Sequence, residues 1–355
     1  MRTEFNQPID NLPENLTHLI LGNEFNQPID NLPKNLIFLK FFNIPFNYPI
    51  DNLPDKLIYL QLSHFFNQKV NNLPKNLKHL IFGEKFNKKV DKLPENIICL
   101  KFGSSFNKSV NNLPKNLDIL IFGKKFNKSV DNLPENIREL YFGDGFNQSV
   151  DHLPKNLNEL LFGNKFNKPV DNLPLSLTHL SFGDNFNKSI DYLPKNLNYL
   201  FLRGKFNKPL DNLPEKLNFL ALECKIIKSL DYLPNSLTHL TLCRNYNIEL
   251  KNLPYNLRYL DMNCFSNNVK IPKNVTQLII NNDNIFLNNL PEEIKKIYIY
   301  FYSAEELASN KNKNKNVENL SITLKEIVIQ NKKYEKYLTK IPFGTIITIQ
   351  KNLFY

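Results

Sequence analysis

The dipeptide Leu-Pro returns at Leu12, Leu32, Leu53, Leu73, Leu93, Leu113, Leu133, Leu153, Leu173, Leu193, Leu213, Leu233 and Leu253, a period of 20 residues with one 21-residue step. Ile271-Pro272 and Leu290-Pro291 continue it at shorter spacing. The unit reads FNxxVDNLPxNLxxLxFGxx. A repeat of that length cannot bury its own apolar face and does so only by stacking on its neighbours, so the period constrains the chain to a solenoid.

Each unit carries one strand signature. In Leu16-x-x-Leu19-x-Leu21, Leu77-x-x-Leu80-x-Phe82 and Leu157-x-x-Leu160-x-Phe162 the last two apolar residues alternate with period two, which places them on one side of a short strand. The remaining dozen residues return the chain, and a Pro in the middle excludes a regular helix there. Phe86, Val90 and Leu93 are expected to point inward. The Gly after each strand (Gly22, Gly83, Gly103, Gly123, Gly143, Gly163, Gly183) is expected to turn the corner with positive φ. The Asn of Phe-Asn (Asn6, Asn87, Asn187) is expected to form an internal ladder onto the backbone of the adjoining coil. The Asp of VDNLP (Asp91, Asp131, Asp171, Asp211) suits an Asx turn ahead of the Pro.

The pattern resembles the FNIP repeat, a relative of the leucine-rich repeat found in social amoebae and in large viruses of amoebae. Phe25-Asn26-Gln27-Pro28-Ile29, Leu32-Pro33 and Leu36-x-x-Leu39-x-Phe41 carry the resemblance, which runs from residue 5 to about 300. It implies a mostly β, leucine-rich-repeat-like solenoid with non-helical returns. Many members carry an F-box ahead of the repeats; with the first Phe-Asn at Phe5-Asn6 there is no room for one here, so the expectation is a member without it.

Two regions follow: a repeat solenoid over 1–302, and over 303–355 an insertion plus degenerate capping coils. Ser303 and Glu306 fit a capping box opening a short helix, and Lys311 to Asn316 reads as a solvated loop. Leu324-x-x-Ile327-x-Ile329 and Ile347-x-Ile349 then restore the strand signature, bringing the expected total to about 17 coils of about 20 residues. The first coil has no polar cap, which raises self-association through its strand edge.

Composition fits this reading and no enzyme class. Three Ala, 10 Gly and no Trp argue against a helical bundle or doubly wound α/β enzyme, while 22 Pro and 28 Phe are what the unit multiplies. No nucleophile elbow, P-loop, dinucleotide fingerprint or HExxH is present. The Asp column gives each carboxylate nearly the same surroundings, so it lacks the split environments of an acid/base pair. No cofactor is implied. The net charge of +11 rests on Lys, with only five Arg, which makes nucleic-acid reading an unfavoured function. With no signal peptide and no long apolar run, the expected location is soluble and intracellular, away from membranes.

Function is expected on the strand-lined face, where outward positions are free of the frame. One register holds His18, Phe38, Tyr59, His79, Cys99, Ile119, Glu139, Glu159, His179, Tyr199, Phe219, His239 and Tyr259; the other includes Tyr141 and Phe201. This is richer in apolar and aromatic residues than a solvated face needs. The candidates for a protein partner are Phe38, Tyr59, His79, Tyr141, His179, Tyr199, Phe201, Phe219, His239 and Tyr259. The four His lie three or more coils apart, too far to share a metal, and Cys224, Cys243 and Cys264 read as thiols without chemistry. Two alternatives remain: substrate recognition in a ubiquitin-ligase system without an F-box of its own, and polyanion binding through Lys88, Lys108, Lys128, Lys168, Lys188 and Lys208.

Overall fold

The structure, a computed structural model, describes residues 5–22, 24–42, 45–224, 230–243, 252–262, 271, 273–281, 292–300, 323–338 and 341–350. Among them are seventeen parallel strands stacked as a solenoid, one to a coil. The chain divides into two units, Met1–Lys188 and Ser189–Tyr355.

The first unit holds β1 (His18–Leu21), β2 (Phe38–Phe41), β3 (Tyr59–Gln61), β4 (His79–Ile81), β5 (Cys99–Lys101), β6 (Ile119–Ile121), β7 (Glu139–Tyr141), β8 (Glu159–Leu161) and β9 (His179–Ser181). Each pairs in parallel with the next, Leu80 beside Leu100 and Leu100 beside Leu120, so equivalent repeat positions fall in columns. The second unit holds β10 (Tyr199–Gly204), β11 (Phe219–Cys224), β12 (His239–Leu242), β13 (Tyr259–Met262), β14 (Gln277–Asn281), β15 (Lys296–Tyr300), β16 (Glu326–Ile329) and β17 (Ile346–Ile349), again in register from one to the next. Leu324, Ile327 and Ile329 are buried, as the strand signature in the tail predicts. Between β16 and β17 the return holds a 3₁₀ helix, Lys332–Tyr337. The helix expected at Ser303 and the loop at Lys311 to Asn316 lie outside the described residues.

The apolar residues of one coil close a thin core. Ile97, Leu100, Phe102, Phe106, Val110 and Leu113 are all buried, and the same six positions recur coil after coil. Two columns of phenyl rings run through it. Phe86, Phe106, Phe126, Phe146, Phe166 and Phe186 stack with centroids 6.0–6.1 Å apart. Within each coil the strand-end Phe lies on its Phe-Asn partner, 3.8 Å for Phe82 on Phe86 and 3.7 Å for Phe122 on Phe126. The returns are tight turns at both ends. The Leu77 N–H donates to the Pro74 carbonyl and the Phe86 N–H to the Gly83 carbonyl, so the Pro and the Gly each open a four-residue turn.

The glycine column overturns one expectation. Positive φ occurs at Gly204 and Gly344 and at none of the glycines from Gly83 to Gly183. What these positions require is the absence of a side chain: a Cβ on Gly103 would lie 2.2 Å from the Gly83 carbonyl oxygen, and one on Gly123 2.1 Å from that of Gly103. Successive coils touch backbone to backbone at this corner, which is the other use of glycine.

The Asn ladder is present. The Asn87 N–H donates to Asn67 Oδ1 at 2.9 Å, Asn107 to Asn87 at 3.0 Å and Asn127 to Asn107 at 3.0 Å, and the series continues to Asn187 on Asn167. A second ladder lies at the Asn of Pro-x-Asn-Leu. Asn76, Asn96, Asn136 and Asn156 each donate from Nδ2 to a carbonyl of the preceding coil, at Asp55, Lys75, Lys115 and Glu135. The Asp column also works between coils: Asp151 accepts from Asn172 Nδ2 at 3.2 Å and from Ser149 Oγ at 2.6 Å. These bonds hold its carboxyl below the usual Asp range.

Candidate functional site

In each unit the strand face is built by the outward residues of its strands, and register decides which of them meet. In the first unit the β1–β4 column reads His18, Phe38, Tyr59, His79, with ring centroids 5.5, 4.5 and 6.1 Å apart. In the second unit Tyr199, Phe219, His239 and Tyr259 do the same at 4.3, 5.9 and 5.2 Å. Six of the eight rings are half-buried and His18 and His239 are exposed, so the face presents rings packed on one another instead of free side chains. His179 and His239 are exposed beside a Thr whose Oγ1 meets the imidazole Nδ1, at 2.9 Å from Thr178 and 2.7 Å from Thr238.

Tyr141 and Phe201 stand in the other register and outside both stacks. The Tyr141 hydroxyl donates to Glu139 Oε2 at 2.9 Å. Burial, then hydrogen bonding to Glu139 and Glu159, pushes that phenol above its ordinary range, so it stays a donor at any physiological pH. Phe201 carries the Arg203 guanidinium 5.9 Å from its ring centroid.

Asp261 follows Tyr259 on the same strand, beside Thr241 and Ile279. Its Oδ1 is buried without a hydrogen-bond partner. Burial, with Glu223 adding repulsion, raises its pKa to about 7. Nothing in the sequence pattern distinguishes this Asp; only the enclosure does.

The lysines fall on the corner after the strands, away from the strand face. Lys88, Lys128 and Lys168 are exposed and Lys108, Lys188 and Lys208 half-buried. A shallow polar groove of about 630 Å³ lies on the opposite edge of the first unit, between the second Asn ladder and the residues that enter the strands. Across it Arg138 Nε and Nη2 grip both Asp118 oxygens at 2.6 Å.

Of the three cysteines read together, Cys224 is buried and Cys243 half-buried, both as free thiols, and Cys264 lies outside the described residues. Burial, with Cys243 and Glu223 nearby, pushes the Cys224 thiol up to about 12, which keeps it protonated and unreactive. Among the described residues no group of three His, Cys, Asp or Glu could hold a metal ion, and no helix is long and apolar enough to cross a membrane.

A parallel solenoid with one strand per coil, an Asn ladder and LxxLxF strands is a leucine-rich-repeat-like architecture. The FNIP Repeat family model matches residues 5–43, 86–125, 126–165, 146–183 and 166–205, and the chain is a bearer of FNIP repeats. Among solved structures it is similar to CroV588, a giant-virus protein described as a novel circular LRR protein, at 32% identity with a TM-score of 0.76. The match covers 95% of this chain and 57% of CroV588, so the chain spans little more than half of that protein. The functional domain of InlJ from Listeria monocytogenes matches at 15% identity and a TM-score of 0.52, over 89% of this chain and 65% of that one, a likeness of fold. No curated protein matches the sequence.

Proposed function

We propose that this chain is a non-catalytic scaffold that binds another protein on its strand-lined face. Solenoids of the leucine-rich-repeat kind commonly mediate protein–protein interaction, and the repeat family and the fold together point to a scaffold. The observation that carries the reading is the pair of aromatic stacks, His18 to His79 and Tyr199 to Tyr259. Rings already immobilised by their neighbours lose little entropy when a partner covers them, and aromatic side chains concentrate binding energy. In the same reading residues 303–355 serve as an insertion and capping coils for the solenoid over 1–302.

The test is affinity capture from cell extract with the intact chain and with the triple variant Tyr199→Ala, Phe219→Ala, Tyr259→Ala. A protein retained by the first and lost by the second, with the variant's circular dichroism unchanged, supports the reading. Equal retention on both removes the reason for preferring this face.

A further inference from the structure

The charge of the first unit is sorted by position within the coil. The six corners after β4 to β9, residues 83–89, 103–109, 123–129, 143–149, 163–169 and 183–188, hold ten lysines and three acidic residues, a net +7. The rest of residues 83–188 holds five basic and nine acidic residues, a net −4. So the basic balance of these coils belongs to one corner, while the strands and the Leu-Pro side are acidic.

The corner is rigid. Its backbone is tied coil to coil by Lys85 N–H to the His64 carbonyl, Lys125 to Ser104 and Lys165 to Asp144, each at 2.9 Å. The Asn ladder fixes it again beside Lys88, Lys108, Lys128 and Lys168. Lysines therefore flank the buried Phe on both sides, Lys85, Lys125 and Lys165 before it and Lys88, Lys108, Lys128, Lys168 and Lys188 after Phe-Asn, with none on the corner of Asp144. Lys124 lies 4.0 Å from Asp144, with its side chain 71% exposed.

The lysines follow one line of the solenoid. Coils repeat at about 4.8 Å, so the six corners place ten lysines and a net +7 along about 24 Å, a strip long enough to lie against a chain of several phosphates. The track is also narrow. Asp91, Asp131, Asp151 and Asp171 form a carboxylate column three residues past the lysines, within about 10 Å. A broad polyanion would overlap that column, whereas a single chain would not. Bases find nothing to stack on, because Phe86, Phe106, Phe126, Phe146, Phe166 and Phe186 are wholly buried, and the corners hold no Arg to read them.

We infer that the lysine corner of residues 83–188 is a binding track for a single linear chain of phosphate groups, held by charge and independent of any base. It lies apart from the strand face and stands without the protein-binding reading. Inorganic polyphosphate and the backbone of a single-stranded nucleic acid share this chemistry.

The test is fluorescence anisotropy with the full chain and two labelled probes, inorganic polyphosphate of about 50 units and oligo-dT of about 20, from 50 to 200 mM salt. The expected result is binding of at least one probe at 50 mM, with log K falling against log salt at a slope of about −3 to −5; which probe binds identifies the source. The variant K85Q/K88Q/K125Q/K128Q/K168Q should weaken binding at least tenfold. K75Q/K115Q/K155Q, on the Leu-Pro side, should stay within twofold. No binding of either probe at 50 mM, a slope near zero, or equal loss in both variants overturns the track. Thermal melts of the unmodified chain give a readout that needs no variant: polyphosphate should raise the midpoint at 50 mM salt, and an unchanged midpoint counts against the proposal.

Discussion

At Gly123 the residue type is set by a neighbour 20 positions away. A Cβ there would stand 2.1 Å from the Gly103 oxygen and 2.3 Å from its carbon, so the clash is with backbone that cannot move aside. Gly123→Ala should therefore cost about 2–4 kcal/mol in urea unfolding. Gly344→Ala, with φ of +85° and open space around it, meets strain alone and should cost about 1–2 kcal/mol. Equal costs would mean that the close approach is relieved by a small shift. Asp261 makes the corresponding prediction for charge. Its folded pKa, about 7, stands above the ordinary 3.8, so the folded chain holds the proton more tightly. The stability this provides is full below pH 3.8 and is lost as pH rises through about 7. Asp261→Asn should thus raise stability at pH 8 by about 1–3 kcal/mol and change little at pH 4, read from denaturation at the two pH values. A gain of the same size at both would point to packing instead of titration.

At the scale of one coil, the phenyl columns and Asn ladders make each unit dependent on its neighbours. Phe126→Ala leaves a hole between Phe106 and Phe146 and should cost about 3–5 kcal/mol. The loss should be local: amide exchange in the coils around residue 126 should rise before that of coils near β1, and uniform loss across the first unit would show that it unfolds as one block. Asn127→Ala removes the acceptor of the Asn147 N–H and should cost about 1–2 kcal/mol, with Asn127→Asp, which keeps an acceptor, costing less. Much of the coil is legible in its sequence. The strand positions, the inward Phe, Val and Leu, and the first Asn ladder follow from period two and from the demand of turn backbone for partners. The glycine column does not, because a single unit shows a Gly before a turn and not the carbonyl of the unit below it. The second Asn ladder, from Pro-x-Asn-Leu, was hidden for the same reason, since its acceptors are backbone carbonyls of any residue type.

Across the whole molecule the outward face and the charge are distributed by register. The two aromatic stacks arise where four successive coils place a ring at the same strand position, and they are interrupted at Cys99, Ile119, Glu139 and Glu159. The most exposed apolar side chains are elsewhere: Phe343 is fully exposed, and Leu175, Tyr192, Tyr232 and Tyr255 sit on the Leu-Pro side, 73–74% exposed. The candidate face was therefore readable as a column of residues, while the packing of ring on ring within it was not. The net charge of +11 behaves likewise. Summed over the chain it is a property of the surface; sorted by coil position it becomes a basic corner against acidic strands. Stacked lysines repel one another, so raising salt from 20 to 200 mM should increase the melting midpoint by a few degrees, and a fall would mean that attractive pairs dominate.

The sequence alone determined the period, the one-strand coil, the inward residues and the absence of α-helix from the described returns, because all of these are set by contacts within about 20 residues. The tertiary structure decided what happens between coils: which backbone atoms touch, which side chains bridge, which rings stack and which carboxylate is enclosed. The physical reason is that a solenoid places residue i against residue i+20 at about 4.8 Å, and at that distance a repeat position is defined by its copy next door as much as by its own chemistry.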